Sequence, residues 1–239
     1  VRILLPPSET KDLGGGHPAL NENPIKDSLT EFRQPVIDAL LDLCAEPDAA
    51  AKALKLGPKQ LADIQRNLEI LSSPTMPAIE RYTGVLFDAL KADGTPKTDQ
   101  LMIQSSMFGL IPASLQIPYY RLSWDSKLPQ INLKKHWQQA HEGFFEGFDG
   151  VLDMRSKSYQ QLAPISSTDA WVVEVLVEYP DGSKKPLNHF NKKAKGVFAK
   201  HAANSTITSI NQVFDVAKAA GQRAELIDNT LTLIVPEGY

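Results

Sequence analysis

The sequence predicts an α+β chain: a single domain with a mixed sheet, helical hairpins in its N-terminal half, and no match to a common superfold. Three observations predict it. One buried-strand pattern, RILL at residues 2–5, is followed through the first hundred residues by segments of helical periodicity. Strand-like runs then gather beyond residue 150, at 151–154, 171–179, 224–227 and 230–235. No internal repeat, low-complexity tract or linker divides the chain, and no βαβ pattern recurs.

In order, the strand at 2–5 is ended by Pro6 and Pro7, because the second proline bars helical geometry at the first and neither can donate to a ladder. Ser8, Glu9, Thr10, Lys11 and the glycines at 14–16 then form a polar loop at a strand's carboxyl end, where open α/β sheets place ligands. The spacing is not that of a P-loop. Ser28 and Glu31 have capping-box spacing before a helix that runs to Cys44, with Pro35 in its first turn. Further helices are expected at 49–56, 59–71 and 78–92, the last carrying Tyr82, Thr83 and Gly84. Residues 99–110 predict a helix ending at Gly109, followed by a hairpin of short strands at 120–122 and 127–128. An amphipathic helix at 133–148 sends Trp137, Phe144, Phe145 and Phe148 to the core. The strand at 151–154 ends in Arg155, Ser156, Lys157, Ser158 and Tyr159. The strand at 171–179 turns at 180–183 and returns over 185–190 into a helix. A helix at 211–220 and two strands meeting at Asp228 and Asn229 close the chain.

Composition narrows the functional classes. The chain has 239 residues, a net charge of −3 and ordinary hydrophobic and charged fractions of 42% and 22%. No apolar run has the length of a membrane span, and the opening RILLP predicts no signal peptide. The single Cys44 lies in an apolar helical run, which rules out an internal disulfide or a cysteine-rich metal site. Five histidines without HxxxH or HExxH spacing predict no metal and no cofactor. Together these features fit a protein of the cytoplasm.

Charge is unevenly distributed. Residues 184–201 hold six lysines (184, 185, 192, 193, 195 and 200) and no carboxylate, leaving 19 basic against 28 acidic residues elsewhere. Such segregation points to an anionic partner. Phe190, Ala194, Val197 and Phe198 have helical spacing, which anchors the lysines to a core. Three junctions thus combine hydroxyls and cations: Ser8/Thr10/Lys11, Arg155/Ser156/Tyr159 and Lys192/Lys193/Lys195. This is the chemistry of an oxyanion or phosphate site. Glu9 beside Lys11 reads as either a general base or a surface ion pair.

With these residues laid out, the sequence resembles the YaaA family of peroxide-stress proteins. The resemblance is carried by ILLPPSETK at 3–11, YTG at 82–84, FGLIP at 108–112, YRL at 120–122, Trp137, the Ser156/Tyr159 pair and KKAKG at 192–196. It implies a single α+β domain of unusual arrangement, a cytoplasmic role in limiting iron-linked oxidative damage, and DNA binding through a positively charged cleft and a helix-hairpin-helix element. The corresponding stretch here, 101–115, has Ser106 where the hairpin's first glycine is expected and contains no lysine or arginine. Lys195 stands where relatives can carry arginine.

Three readings follow. In the first, DNA or another polyanion is the partner, with Lys184, Lys185, Lys192, Lys193 and Lys195 on phosphates and Lys11 and Arg155 flanking the cleft. In the second, the chain is an enzyme acting on a small anionic or nucleotide-like substrate. Its pocket would draw on Ser8, Thr10, Lys11, Tyr82, Arg121, Ser156, Tyr159 and Lys193. In the third, the clusters are ordinary loop chemistry on a scaffold.

Overall fold

A computed structural model describes residues 1–166, 169–186 and 191–239. In chain order the first half contains β1 (Arg2–Leu5), α1 (Thr30–Cys44), α2 (Pro47–Ala53), α3 (Ala62–Leu68), β2 (Met76–Pro77), α4 (Ala78–Arg81), α5 (Val85–Leu90), β3 (Leu101–Ser105), β4 (Gly109–Pro112) and β5 (Gln116–Ile117). The second half adds α6 (Leu133–Ala140), β6 (Val151–Asp153), α7 (Lys157–Gln160), β7 (Ala170–Glu178), β8 (Lys184–Pro186), α8 (Asn191–Asn204), α9 (Val213–Ala219), β9 (Arg223–Ile227) and β10 (Thr230–Pro236). The expected α+β class, mixed sheet and helical N-terminal half are all present.

The main sheet runs β4-β3-β1-β6-β7-β10-β9, with β8 paired to β7. β1 is its centre because Ile3, Leu4 and Leu5 leave no polar face, as a parallel strand covered on both sides requires. It pairs in parallel with β3 on one side and β6 on the other. β6, β7 and β10 continue the parallel set, while β4, β8 and β9 are antiparallel additions. Successive side chains of a strand alternate between faces. Ile3 and Leu5 therefore enter the large core beneath the helices, and Leu4 joins Leu110, Phe145, Val151 and Ala163 on the opposite face.

Helix α8 is locked to this core by Ala194, Phe198, Ala199, Ala202 and Ala203, all buried. Its Gly196 lies against α5 so closely that a Cβ there would stand 2.3 Å from the Leu86 carbonyl oxygen and 2.9 Å from Ala89 Cβ. The glycine of KKAKG is thus a packing requirement. Phe190, read as part of the same apolar stripe, and the return strand beyond Pro186 fall at residues 187–190, outside the described residues.

Several local expectations are corrected. Residues 99–110 are not helical: β3 and β4 form an antiparallel hairpin whose turn places Gly109 at φ +75°. A helix-hairpin-helix at 101–115 is therefore absent. No strands form at 120–122 and 127–128; β5 instead pairs with β2. The helix expected at 78–92 is interrupted at residues 82–84, and the one at 133–148 stops at Ala140. The start of α1 is fixed by Asp27 and Thr30, not by Ser28 and Glu31. The Asp27 N–H donates to Thr30 Oγ1 at 2.8 Å, and the Leu29 N–H donates to Asp27 Oδ1 at 2.8 Å.

Candidate functional site

The site follows from the topology. From β1 the chain passes to β3 on one side; from β6 it passes to β7 on the other. The carboxyl ends of β1 and β6 thus form a topological switch point, the place where open sheets leave a crevice for ligands. Two loops issue from it, one holding Ser8, Thr10 and Lys11, the other holding Arg155, Ser156 and Tyr159.

The first loop is stitched to the YTG segment. Lys11 forms a bridge with Tyr82, the Thr83 N–H donates to the Thr10 carbonyl at 3.1 Å, and the Asp12 N–H donates to the Arg81 carbonyl at 2.8 Å. The Ser8 and Thr10 hydroxyls lie 3.1 Å apart, and Thr10 donates to the Thr83 carbonyl at 3.2 Å. Gly84, at φ +97°, faces both hydroxyls; a Cβ there would lie 3.1 Å from Thr10 Oγ1 and 3.3 Å from Ser8 Oγ. The interruption of the helix at 82–84 thus has a tertiary cause: its backbone pairs with the loop after β1.

Lys11 turns inward from this pairing. Its Nζ sits 4.4 Å from the Tyr120 ring centroid and 5.5 Å from that of Tyr82, and donates a long bond of 3.4 Å to the Glu9 carbonyl. No carboxylate among the described residues lies within ion-pair distance of it. Burial first and the Arg121 charge second lower its pKa to about 7, with Glu9 and Asp63 offsetting them in part. The residue nevertheless keeps part of its surface open to solvent. It is a desolvated amine at an accessible position.

Beneath it runs a chain of hydroxyls. Tyr82 and Tyr120 oxygens are 2.6 Å apart, and Tyr120 meets Ser105 Oγ at 2.8 Å. Ser105 accepts from the Met107 and Phe108 N–H groups at 3.1 and 3.0 Å, so its own proton is directed to Tyr120. Burial raises the pKa of both tyrosines. Tyr159 is raised in the same way; its hydroxyl is set against Ser106, and Tyr120 and Glu9 act on its charge. Arg121 closes one side, donating to the Glu9 carbonyl at 3.1 Å and to Glu9 Oε2 at 3.2 Å. Its backbone is clamped by buried Asn67, which accepts from the Arg121 N–H at 2.7 Å and donates to its carbonyl at 3.0 Å. Tyr119 donates to Asp63 Oδ1 at 2.9 Å, and burial together with this bond raises the phenol to about 12.

The structure therefore gathers Ser8, Thr10, Lys11, Tyr82, Arg121 and Tyr159. It does not bring Arg155 to them. Arg155 is buried on the other face of the sheet, donating to Asp153 at 2.9 and 2.8 Å and to Gln104 Oε1 at 2.9 Å. There it borders a separate cleft of about 520 Å³ with Lys157, Gln160 and Asn229. Ser156 is exposed at the start of α7.

The lysines have separate environments. Lys195 is buried; its Nζ donates to the Met154 carbonyl at 3.1 Å at the end of β6, and burial lowers its pKa to about 8. Lys193 lies over the Tyr239 ring at 5.1 Å and Lys185 over Tyr179 at 5.2 Å. Lys184 pairs with Glu225 at 2.6 Å, and Lys200 pairs with Asp93. Lys192 is exposed.

The geometry shows what joins ILLPPSETK, YTG, YRL and the Ser156/Tyr159 pair: Lys11, Tyr82, Tyr120, Arg121 and Tyr159 lie together beyond the carboxyl ends of β1, β3 and β6. The family profile described as peroxide stress protein YaaA matches residues 1–223. The chain belongs to the YaaA peroxide-stress family. A UPF0246 protein of Corynebacterium glutamicum strain R is 40% identical over 98% of this chain and 99% of its own length. UPF0246 proteins of Streptomyces coelicolor and Streptococcus uberis are 33% and 25% identical, over 81% and 69% of this chain and 79% and 71% of their own lengths. As a YaaA-family member the chain is a peroxide-stress protein. Among the described residues no helix is long and apolar enough to cross a membrane, and no three His, Cys, Asp or Glu side chains cluster to hold a metal ion.

Sequence reasoning did not assign Tyr120, Ser105, Asp63 or Asn67 to the site. A signal existed for the last two. They are spaced i,i+4 beside the apolar stripe of α3, so both lie on its buried side.

Proposed function

We propose that this YaaA-family chain binds a small anionic ligand at the carboxyl ends of β1, β3 and β6 and carries out chemistry on it. The observation that supports this reading is the Lys11 amine, seated on Tyr82 and Tyr120 without a carboxylate partner among the described residues, beside Arg121. An anion arriving there gains a guanidinium and an amine that becomes cationic in its presence, and the phenols stay protonated to donate hydrogen bonds. Glu9, whose side chain is 66% exposed, is the group an incoming anion displaces from Arg121.

Calorimetric titration with orthophosphate, nucleoside monophosphates and short carboxylates tests the reading. Lys11→Met and Arg121→Gln are expected each to weaken binding by about tenfold or more, the scale of one charge-assisted hydrogen bond. Unchanged affinity in both variants would refute the assignment.

A polyanion is the second reading, favoured by the exposed placement of Lys184, Lys185, Lys192 and Lys193. Exposed ion pairs such as Lys184–Glu225 are weak enough for a phosphate to replace. DNA held this way would be shielded from iron-generated oxidants without the protein itself holding iron.

A further inference from the structure

The Lys11 amine has an arrangement that anion binding alone does not require. A lysine that only neutralises phosphate works best as a fully charged, hydrated ammonium near other donors. Lys11 is instead held against the faces of Tyr82 and Tyr120, and its one hydrogen bond among the described residues is long. Burial and Arg121 lower its pKa to about 7, so that a large share of the amine is neutral at pH 7. Desolvation in an apolar setting beside another cation is how a lysine becomes a nucleophile. Arg121 is that cation, and it is also a handle for a ligand's negative group.

We infer that Lys11 Nζ forms an imine with a small carbonyl compound bearing an anionic group, such as a 2-oxo acid or a phosphorylated aldehyde, whose charge Arg121 holds. This rests on the small-anion reading and names its substrate class. In the step, the Nζ lone pair adds to the carbonyl carbon, forming the C–N bond as the C=O π pair moves to oxygen. The carbinolamine then loses that oxygen as water together with both amine protons, giving C=N. Nothing is oxidised or reduced. The hydroxyls of Tyr82, Tyr120 and Tyr159, which stay protonated overall, relay these amine protons from nitrogen to the departing oxygen. The groups that set the amine's charge are Glu9 and Arg121 from the loops, Asp63 from α3 and Arg81 from α4.

The test uses the full chain, glyoxylate as probe and borohydride as trap, with the adduct mapped by peptide mass spectrometry. At pH 7 the labelling of Lys11 is expected to exceed that of any exposed lysine by at least about tenfold, because an ordinary lysine is almost wholly protonated there. Lys11→Arg should abolish the dominant adduct. Lys195→Met should leave it in place, which matters because Lys195 is the other lysine of lowered pKa. Uniform labelling of surface lysines, or a dominant adduct on Lys195, would overturn the inference. Mapping on the unaltered protein decides the matter even if a variant misfolds. The two claims also separate experimentally. Orthophosphate binding without an adduct leaves the anion site and removes the imine, whereas an adduct without binding of carbonyl-free anions does the reverse.

Discussion

A single buried histidine shows how strongly one residue ties stability to pH. His141 is 3% exposed; its Nε2 accepts from the Leu110 N–H at 3.0 Å, and its Nδ1 donates to the Trp137 carbonyl at 2.7 Å. That pairing fixes the neutral tautomer, and burial lowers the pKa from 6.5 to about 4. Between those values the unfolded chain takes up a proton that the folded chain refuses. Stability therefore falls as pH drops from about 6.5 towards 4, by roughly 3 kcal/mol in all. Urea melts at pH 7 and pH 4.5 should show this loss. In His141→Gln, which can still accept from Leu110, the loss should shrink by about that amount. An equal acid loss in both proteins would place the sensitivity in other groups.

At the level of elements, the α5–α8 packing is the joint that aligns the KKAKG helix with the sheet, and Gly196 makes it possible. Alanine is a better helix former than glycine by about 1 kcal/mol, so propensity alone predicts that Gly196→Ala stabilises the protein. The 2.3 Å approach to the Leu86 carbonyl opposes this, because backbone cannot yield cheaply. We expect a net loss of about 2–3 kcal/mol by denaturant titration; a neutral or stabilising result would mean that the helices separate without penalty. The elements also show where sequence was readable. β1, β6, β7 and the β9–β10 hairpin were legible because their patterns are local: proline stops, alternation, and a turn at Asp228 with φ +49°. The β3–β4 hairpin was not. LMIQS is buried on both faces, so it lacks period-2 alternation, and a glycine at its turn looks the same in sequence as a glycine at a helix end. The break at 82–84 was invisible for a different reason: it is imposed by pairing with residues 10–12, far away in the chain.

For the whole molecule, the question is what the lysine-rich stretch does. Sequence could show that charge was segregated, but not that its members would diverge. Lys195 is spent on the Met154 carbonyl inside the protein, and Lys200 is tied to Asp93. Lys184, Lys185, Lys192 and Lys193 remain exposed. Of the three polar junctions read in the sequence, the site gathers Ser8, Thr10 and Lys11 from the first, Tyr159 from the second and none from the lysine junction. The exclusion of Arg155 was not legible, because the one-residue alternation that sends it to the opposite face depends on where β6 ends. This separation makes the polyanion reading testable apart from the Lys11 site. Removing one lysine–phosphate pair should lower the magnitude of the log affinity against log salt slope by about 0.9 for duplex DNA. Fluorescence anisotropy across a salt series should therefore show a flatter slope when Lys184, Lys185, Lys192 and Lys193 are all replaced by Ala. Lys195→Met, a change in the interior, should leave the slope where it was. If the quadruple variant keeps the slope of the unaltered protein, these lysines do not meet phosphates.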